Sequence, residues 1–237
     1  MHGRQQGIGE VRPETLGRFD LFEDLDLRGL TAAAAVMHVD HVAGGGLVCR
    51  QGDAADRAFA VAAGSVRIVQ TGPDGAQAVL RFIGTGDMFG TAALFTDHRY
   101  PADAISAESS TVLSWQESDL FELIDRYPRI ARNVIGILGR RIAELQERVR
   151  NNANQRVEQR LAGALLQLGE QFGRATRAGV TIKLPLRRQD LAEYTGTTLH
   201  SVSRQLAAWS SAGFIRTSAR RVSLCDEAAL RRIAKDD

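Results

Sequence analysis

The hydrophobic period of this chain changes near Pro128, and this change limits the folds that are open to it. Before Pro128, short β-prone runs alternate apolar and polar residues, as in AFAVAAG (58–64) and SVRIVQ (65–70). Alternation is the period of a half-buried strand. After Pro128, apolar residues recur every three or four positions, which is the helical period. The 237 residues are enough for two domains, one rich in strands and one rich in helices.

Several short β-prone runs follow one another in the first half, and glycine-rich turns separate them. The turn TGPDGA predicts a hairpin between two of these runs. Many short strands with closely spaced turns are typical of a small antiparallel sandwich or barrel, predicted here over residues 19–127. The runs are LVCR (47–50), AFAVAAG (58–64), SVRIVQ (65–70), QAVLRFI (77–83) and TVLSW (111–115).

The N-terminal segment differs from this pattern. Residues 1–18 hold four glycines and show no apolar period, which predicts a mobile tail. The stretch DLFEDLDLRGLTAAAAVM then predicts a helix with Leu21, Leu25 and Leu30 on one face.

One long amphipathic helix is predicted between the two halves, with a polar hinge at NNANQR (151–156). Residues 128–152 therefore form the connecting helix and hinge, and residues 153–237 form a second domain. An apolar stripe on a helix between two domains favours a partner helix, and a symmetric dimer supplies one. The predicted dimer residues are Ile130, Val134, Leu138, Ile142, Leu145 and Val149.

Charge is distributed unevenly along the chain. Residues 1–127 carry 10 Lys and Arg against 18 Asp and Glu, whereas residues 153–237 carry 14 against 8. The formal net charge of +2 therefore hides an acidic first half and a basic second half. A basic domain is expected to bind a polyanion, and the first half is not.

The segment RRQDLAEYTGTTLHSVSRQLAAW (187–209) predicts two short helices joined by a turn at Gly196. Leu191, Ala192 and Val202 are of buried type, and the small residues allow a steep crossing of the two helices. Thr197 or Thr198 caps the second helix. Such a helix lying in the major groove of DNA is the helix-turn-helix arrangement.

The sequence FIRTSARRVSL then predicts a two-stranded wing that brings basic residues to the DNA backbone. An arginine on the second helix can read guanine through two hydrogen bonds. The candidate DNA-binding residues are Arg188, Gln189, Thr197, Thr198, His200, Ser201, Ser203, Arg204, Arg220 and Arg221.

These pieces together resemble bacterial transcription regulators of the Crp/Fnr family, from about Leu21 to Ala234. The resemblance rests on QGDAADRAFAVAAGSVRI, GTGDMFGTAALF, GILGRRIAEL and RQDLAEYTGTTLHSVSRQL. It implies an α+β protein with an antiparallel β jelly-roll sensor that is similar to cyclic-nucleotide-binding domains. A long dimerisation helix and a C-terminal winged helix-turn-helix would follow.

The resemblance also implies a function and partners. A cytoplasmic homodimer would bind a two-fold symmetric operator in double-stranded DNA, and would contact RNA polymerase if it is an activator. The family reads DNA from positions that match His200, Ser203 and Arg204. Many members have Glu at the first of these, so His200 argues against a familiar operator sequence.

The sensor departs from the members that bind cyclic AMP. Those members have Glu where this chain has Thr91 and Arg where it has Pro101, so the resemblance argues against cyclic AMP as the effector. The YPADA stretch is more similar to the Fnr-like branches, yet the tail holds no Cys for an iron–sulfur cluster. Haem stays open, with His98 as a candidate ligand. The candidate effector residues are Gly90, Thr91, Ala92, Leu94, His98 and Arg99.

One alternative of another class is a cupin-type metal enzyme fused to a DNA-binding domain. His38 and His41 form H-x-x-H, but a spacing of three on a strand places the two side chains on opposite faces. Cys49 and Cys225 cannot build a zinc or iron–sulfur site alone, so we expect no metal and no enzymatic activity. The sequence shows no membrane-spanning stretch and no signal peptide, and we expect no membrane partner.

Overall fold

The computed structural model describes residues 12–177 and 179–235. Its helices are α1 (Pro13–Leu16), α2 (Leu27–Ala35), α3 (Thr91–Leu94), α4 (Glu117–Arg126), α5 (Arg129–Asn154), α6 (Val157–Phe172), α7 (Arg188–Thr195), α8 (Leu199–Ser211) and α9 (Glu227–Lys235). Its strands are β1 (His38–Val42), β2 (Leu47–Cys49), β3 (Arg57–Ala63), β4 (Val66–Thr71), β5 (Gln77–Ile83), β6 (Met88–Phe89), β7 (Asp103–Ser106), β8 (Ser110–Gln116), β9 (Gly173–Thr176), β10 (Gly179–Ile182), β11 (Ile215–Ser218) and β12 (Arg221–Leu224).

The first eight strands form the predicted antiparallel sandwich. One sheet has the order β1-β8-β3-β6 and the other the order β2-β7-β4-β5. The apolar core between them includes Val61, Val66, Leu113 and the fully buried Trp115. The hairpin predicted at TGPDGA joins β4 to β5 as antiparallel neighbours. The predicted α+β fold class is confirmed.

The second sheet is buried on both faces. Successive side chains of β4 point to opposite faces, as in any regular strand, and the register shift of the β4–β5 pair leaves Leu80 as an extra residue on β5. Ile68 packs against the core of the sandwich, whereas Val69 belongs to the apolar cluster of the C-terminal half. The C-terminal half therefore covers the outer face of this sheet.

The helix predicted over DLFEDLDLRGLTAAAAVM is present only in the second part of that stretch, so Leu21 and Leu25 do not share a helix face with Leu30. A 3₁₀ turn covers Asp20–Phe22, and α2 begins only at Leu27. Asp26 caps α2, because its side chain accepts a hydrogen bond from the backbone N–H of Gly29 at 2.8 Å.

The predicted mobile tail is also too long. Pro13–Leu16 forms α1, and Leu16 is fully buried in the sandwich core. Proline is well suited to the first turn of a helix, and the buried leucine fixes this turn to the core. The rest of the predicted tail, residues 1–11, lies outside the described residues.

The long connecting helix is present as α5, and it extends through Asn154 rather than ending near residue 152. The break falls at 155–156, inside the predicted hinge. Gln159 then accepts a hydrogen bond from the backbone N–H of Arg156 at 2.6 Å, which caps the start of α6.

The C-terminal half packs α6–α9 around a sheet of order β11-β12-β10-β9. The predicted wing is β11 and β12, and its turn places Ala219 and Arg220 at φ 47° and 63°. Positive φ at both central residues is the requirement of a tight hairpin turn that matches strand twist. The hairpin of β9 and β10 was not predicted, and it extends the wing sheet by two strands.

Candidate nucleic-acid interface and sensor cavity

Helix α8 has the cap and the buried face that a recognition helix needs. Thr198 is the cap, and its Oγ1 accepts a hydrogen bond from the backbone N–H of Ser201 at 3.1 Å. The same hydroxyl donates to Ser201 Oγ at 3.0 Å. Val202 is fully buried between α8 and its neighbours. The cap and the buried side fix which face of α8 points outward.

The outward face of α8 carries His200 and Arg204, which are both exposed, with the half-buried Ser203 between them. Gly196 adopts the left-handed conformation, φ 61° and ψ 44°, that ends α7 and allows the turn into α8. Thr197 is half-buried, and its backbone N–H donates to Ala192 O at 3.0 Å. Thr197, Thr198 and Ser201 therefore make the hydrogen bonds of the turn. His200 and Arg204 are exposed and take no part in these hydrogen bonds.

Four other predicted DNA-binding residues line one open cleft of about 470 Å³ between the start of α7, the start of α8 and the wing. They are Arg188, Gln189, Arg220 and Arg221. The fold thus brings basic side chains that are more than 30 residues apart onto one surface beside α8. Arg221 already makes one hydrogen bond within the protein, since its Nη1 donates to Lys183 O at 2.7 Å.

A buried carboxylate at the start of α7 was not predicted as a functional group. Asp190 is 2% exposed, and its oxygens accept from Arg187 Nη2 at 2.6 Å and from the Arg187 backbone N–H at 3.2 Å. The hydrogen bonds to Asp190 raise the pKa of Arg187 above its usual value. A third donor comes from the sensor: Arg67 Nη1 on β4 lies 2.5 Å from Asp190 Oδ1.

Arg148 of α5 makes a second link between the two halves. Its guanidinium donates to the carbonyl oxygens of Leu80 on β5 and Tyr194 on α7. It also lies 4.7 Å from the centre of the Tyr194 ring, which is a cation–π distance. The Tyr194 ring in turn packs edge-on against Phe82, at 5.4 Å between ring centres. One side chain of α5 therefore touches both the sensor hairpin and the first helix of the helix-turn-helix.

The sensor holds a small cavity of about 90 Å³ between its two sheets and α5. Of the predicted effector residues, Gly90 and Ala92 line this cavity. Thr91 is buried beside them, and its hydroxyl has no hydrogen-bond partner among the described residues. The cavity is lined by Cys49, Ile68, Phe89, Gly90, Ala92, Ala93, Tyr100, Pro101, Ala102, Ala104 and Arg141.

Three predicted effector residues lie elsewhere. Leu94 belongs to the apolar core, and His98 and Arg99 are exposed. His98 Nδ1 lies 3.0 Å from Glu117 Oε1, and Arg99 Nη1 donates to Gly52 O at 2.6 Å. These polar contacts direct both side chains away from the cavity. A haem group does not fit the residues present, because its candidate ligand His98 lies outside a cavity far smaller than the usual 300–1,000 Å³ of ligand sites.

Sequence reasoning missed Arg141, which reaches the cavity from α5. Burial, with the like charge of Arg81 close by, lowers the pKa of Arg141 to about 10. Burial also raises the pKa of the Cys49 thiol to about 12, so this thiol is protonated at neutral pH. A helical wheel of α5 places Arg141 next to the apolar stripe, which was the available signal.

The H-x-x-H histidines are exposed on β1, and His41 Nδ1 lies 3.2 Å from Thr111 Oγ1. Within residues 12–177 and 179–235, no three His, Cys, Asp or Glu side chains are grouped as a metal site would need. No helix of these ranges is both long enough and apolar enough to cross a membrane.

Comparison with known proteins agrees with this geometry. A cyclic nucleotide-binding domain model matches residues 39–127, and a Crp-like helix-turn-helix domain model matches residues 159–233. The chain is 30% identical to the cyclic AMP receptor protein of Thermus thermophilus over 184 residues, which are 78% of this chain and 82% of that protein. The chain belongs to the Crp/Fnr family of transcription regulators.

Other Crp/Fnr proteins extend the likeness to nearly the whole chain. A CRP-like cAMP-activated global transcriptional regulator of Mycobacterium tuberculosis is 25% identical over 94% of this chain and 99% of its own length. The structure of FixK2 from Bradyrhizobium japonicum has the same fold, with a TM-score of 0.76 and 21% identity over 85% of this chain and 99% of that one. As a Crp/Fnr protein, the chain is a DNA-binding transcription regulator with a sensor domain and not an enzyme, so the metal-enzyme alternative is set aside.

Proposed function

We propose that this regulator binds a two-fold symmetric operator as a homodimer, and that its sensor gates operator affinity by holding the helix-turn-helix. Residues 19–127 form the sensor, residues 128–152 the dimerisation helix and hinge, and residues 153–237 the DNA-binding domain. The observation that carries the proposal is the surface formed by α8, the start of α7 and the wing.

On this surface the base-reading and backbone-binding tasks are divided. Arg204 stands exposed on α8, where a guanidinium can take guanine O6 and N7 together. Arg188, Gln189, Arg220 and Arg221 line the neighbouring cleft and would bind phosphates. His200 would read a second base, one that the Glu of many relatives does not select.

The first prediction separates these two tasks. Arg204→Ala should remove the preference of the full chain for its operator over unrelated DNA, a loss of about 1–3 kcal/mol in discrimination. Arg220→Ala is the matched control, and it should weaken binding to all sequences alike and lower the salt slope by about one. Fluorescence anisotropy titrations at several salt concentrations measure both. An Arg204→Ala protein that still selects its operator as strongly as the unchanged chain would refute the assignment of α8.

The dimer proposal rests on an apolar stripe, mostly exposed, that runs along α5 from Ile135 to Val149. Ile135, Leu138, Ile142, Leu145 and Val149 follow at steps of 3, 4, 3 and 4, the spacing of a two-helix seam. Ile135, Ile142, Leu145 and Val149 are exposed by 70%, 56%, 54% and 71%. A row of large apolar side chains in water marks an interaction surface, and a second copy of α5 matches it in length and spacing.

The predicted seam is wrong at its start. Ile130 and Val134 are buried against the sensor of their own chain and cannot also contact a partner. Ile135, which was not predicted, takes their place. Gly139 lies beside the stripe, and among the described residues no atom outside its own helical turns lies within 4 Å of the place where a Cβ would stand, which leaves room for a second helix.

The second prediction tests this stripe. Leu145→Glu should place two carboxylates in the seam of each dimer and weaken dimerisation at least about a hundredfold, because buried unpaired charges cost several kcal/mol. Ala143→Glu adds the same charge on another exposed face of α5 and should leave the dimer intact. Sedimentation equilibrium gives both dissociation constants. Equal dimerisation of the two variants, or a monomer that binds its operator tightly, would contradict the seam.

Gating rests on contacts between the sensor and α7. Arg67 holds Asp190 in the turn of α7 that also presents Arg188 and Gln189 to DNA. The sensor loops at Gly44, Gly45 and Glu108 form the opposite wall of a cavity of about 420 Å³ whose near wall includes Arg187 and Arg220. In this arrangement the wing side of the DNA surface faces the sensor, and we expect the sensor to hinder the approach of a DNA backbone there.

The third prediction is a gain of affinity. Arg67→Gln removes one charge-assisted contact, worth about 1.5–3 kcal/mol, and should raise the operator affinity of the effector-free protein by about tenfold or more. Arg187→Gln is the matched control, since Arg187 also binds Asp190 but moves together with α7, and it should give no rise. Operator titrations on variants with unchanged thermal unfolding measure the effect. Unchanged or weaker binding by Arg67→Gln would exclude the contact as a gate.

A further inference from the structure

The cavity in the sensor is small, and Arg141 is the charged residue in its lining. Its volume of about 90 Å³ is well below the 300 Å³ or so at which ordinary ligand pockets begin, and below the roughly 150 Å³ of a cavity that takes up benzene. A cyclic nucleotide is far too large for this space. A molecule of about four to six heavy atoms is of the right size.

One side of the cavity is lined by a positive charge, that of Arg141. Arg141 makes no hydrogen bond or ion pair with any described side chain or backbone group, and Arg81, Glu144 and Asp87 are the charged groups that act on it. Its partial burial and the like charge of Arg81 outweigh the attraction of the two carboxylates, as the lowered pKa shows. A desolvated guanidinium in this state gains from an anion that binds its planar fork with two oxygens.

Two further donors of the sensor lack partners within the described part of the chain, and both lie behind the residues that line the cavity: Thr91 is between Gly90 and Ala92 in the chain, and the charge of Arg81 acts on Arg141. Thr91 is 7% exposed, and its Oγ1 has no hydrogen-bond partner in residues 12–177 and 179–235. Arg81 Nη1 is buried and unsatisfied in the same ranges. Buried donors without partners are rare in folded proteins, and a bound acceptor is one common reason for them.

The rest of the cavity lining determines which ligands other than a bare anion can fit. Most of it is apolar, with Cys49 and the Tyr100 ring beside the hydrocarbon side chains of Ile68, Phe89, Ala92, Ala93, Pro101, Ala102 and Ala104. An inorganic oxyanion would bury oxygens against these carbon atoms without hydrogen bonds, at a cost for each. A carboxylate with a short hydrocarbon tail instead matches a guanidinium at one end and an apolar pocket at the other.

We propose that this cavity binds a short-chain monocarboxylate of two to four carbons, with Arg141 holding the carboxylate and the apolar wall holding the tail. The proposal rests on the gated function above and names the effector class of its sensor. Arg141 and Arg148 are seven residues apart on α5, which places them on one face two turns apart. A carboxylate that draws Arg141 inward therefore acts on the same helix that holds β5 and α7 through Arg148.

The test is calorimetric titration of the full chain without DNA, with acetate, propionate, butyrate, hexanoate, nitrate, phosphate and cyclic AMP as separate probes. Propionate or butyrate should bind saturably with a Kd between about 10 µM and 1 mM, within the affinity limit for ligands of this size. Hexanoate should bind at least about tenfold more weakly than butyrate, because its tail exceeds the cavity.

Three variants test whether the carboxylate binds in the sensor cavity. Arg141→Gln should weaken binding at least about tenfold, whereas Arg140→Gln, which loses only a surface pair with Asp20, should change it less than about twofold. Ala92→Leu fills the cavity without touching the arginine and should also abolish binding, so a poorly folded Arg141 variant leaves the proposal testable.

Three results would overturn the proposal: no saturable binding of any two- to four-carbon carboxylate, a preference for nitrate, phosphate or cyclic AMP, or binding that survives both Arg141→Gln and Ala92→Leu. Because no DNA is present, these results stand apart from the Arg204 and Arg67 tests. A separate operator titration with and without propionate then shows whether the bound carboxylate alters operator affinity.

Discussion

The buried carboxylate of Asp190 is the contact on which the arrangement of the two halves depends. An ion out of water costs several kcal/mol unless charged donors surround it, and removing one partner is more damaging than never having the pair. Asp190 has two arginine partners, one within its own helix-turn-helix and one, Arg67, from the sensor. Separating the halves therefore leaves Asp190 held by Arg187 alone. The DNA-binding domain then lacks one of the contacts that hold it against the sensor.

Two elements, β4 and α5, connect the sensor cavity with the DNA-binding domain. Ordinary alternation along β4 turns Ile68 toward the cavity and Val69 toward the DNA-binding domain, so one strand borders both. Helix α5 presents Arg141 to the cavity, Arg148 to α7 and an apolar stripe to the solvent. The proposed effector site, the contact with α7 and the proposed dimer seam thus share one helix, and under the proposal a shift of that helix would change all three.

Local features of the sequence were predicted well where local chemistry decides the structure. The limits of β5, the cap at Thr198, the turn at Gly196 and the wing all follow from alternation, capping and turn preferences within a few residues. Strand β6 has only two residues and shows no period to detect. Arg67 and Asp190 lie 123 residues apart, and no spacing relates them. The same limit explains the error at Ile130, whose burial depends on where the sensor packs.

The most direct test of the gate is the structure of this chain bound to its operator, with the separation of Arg67 Nη1 and Asp190 Oδ1 as the measured quantity. In the free chain the two atoms are 2.5 Å apart. If sensor and DNA-binding domain must part for the wing to reach DNA, the two atoms lie beyond hydrogen-bond reach in the complex, with Arg187 still bound to Asp190. An intact Arg67–Asp190 pair in a fully bound operator complex would contradict the account.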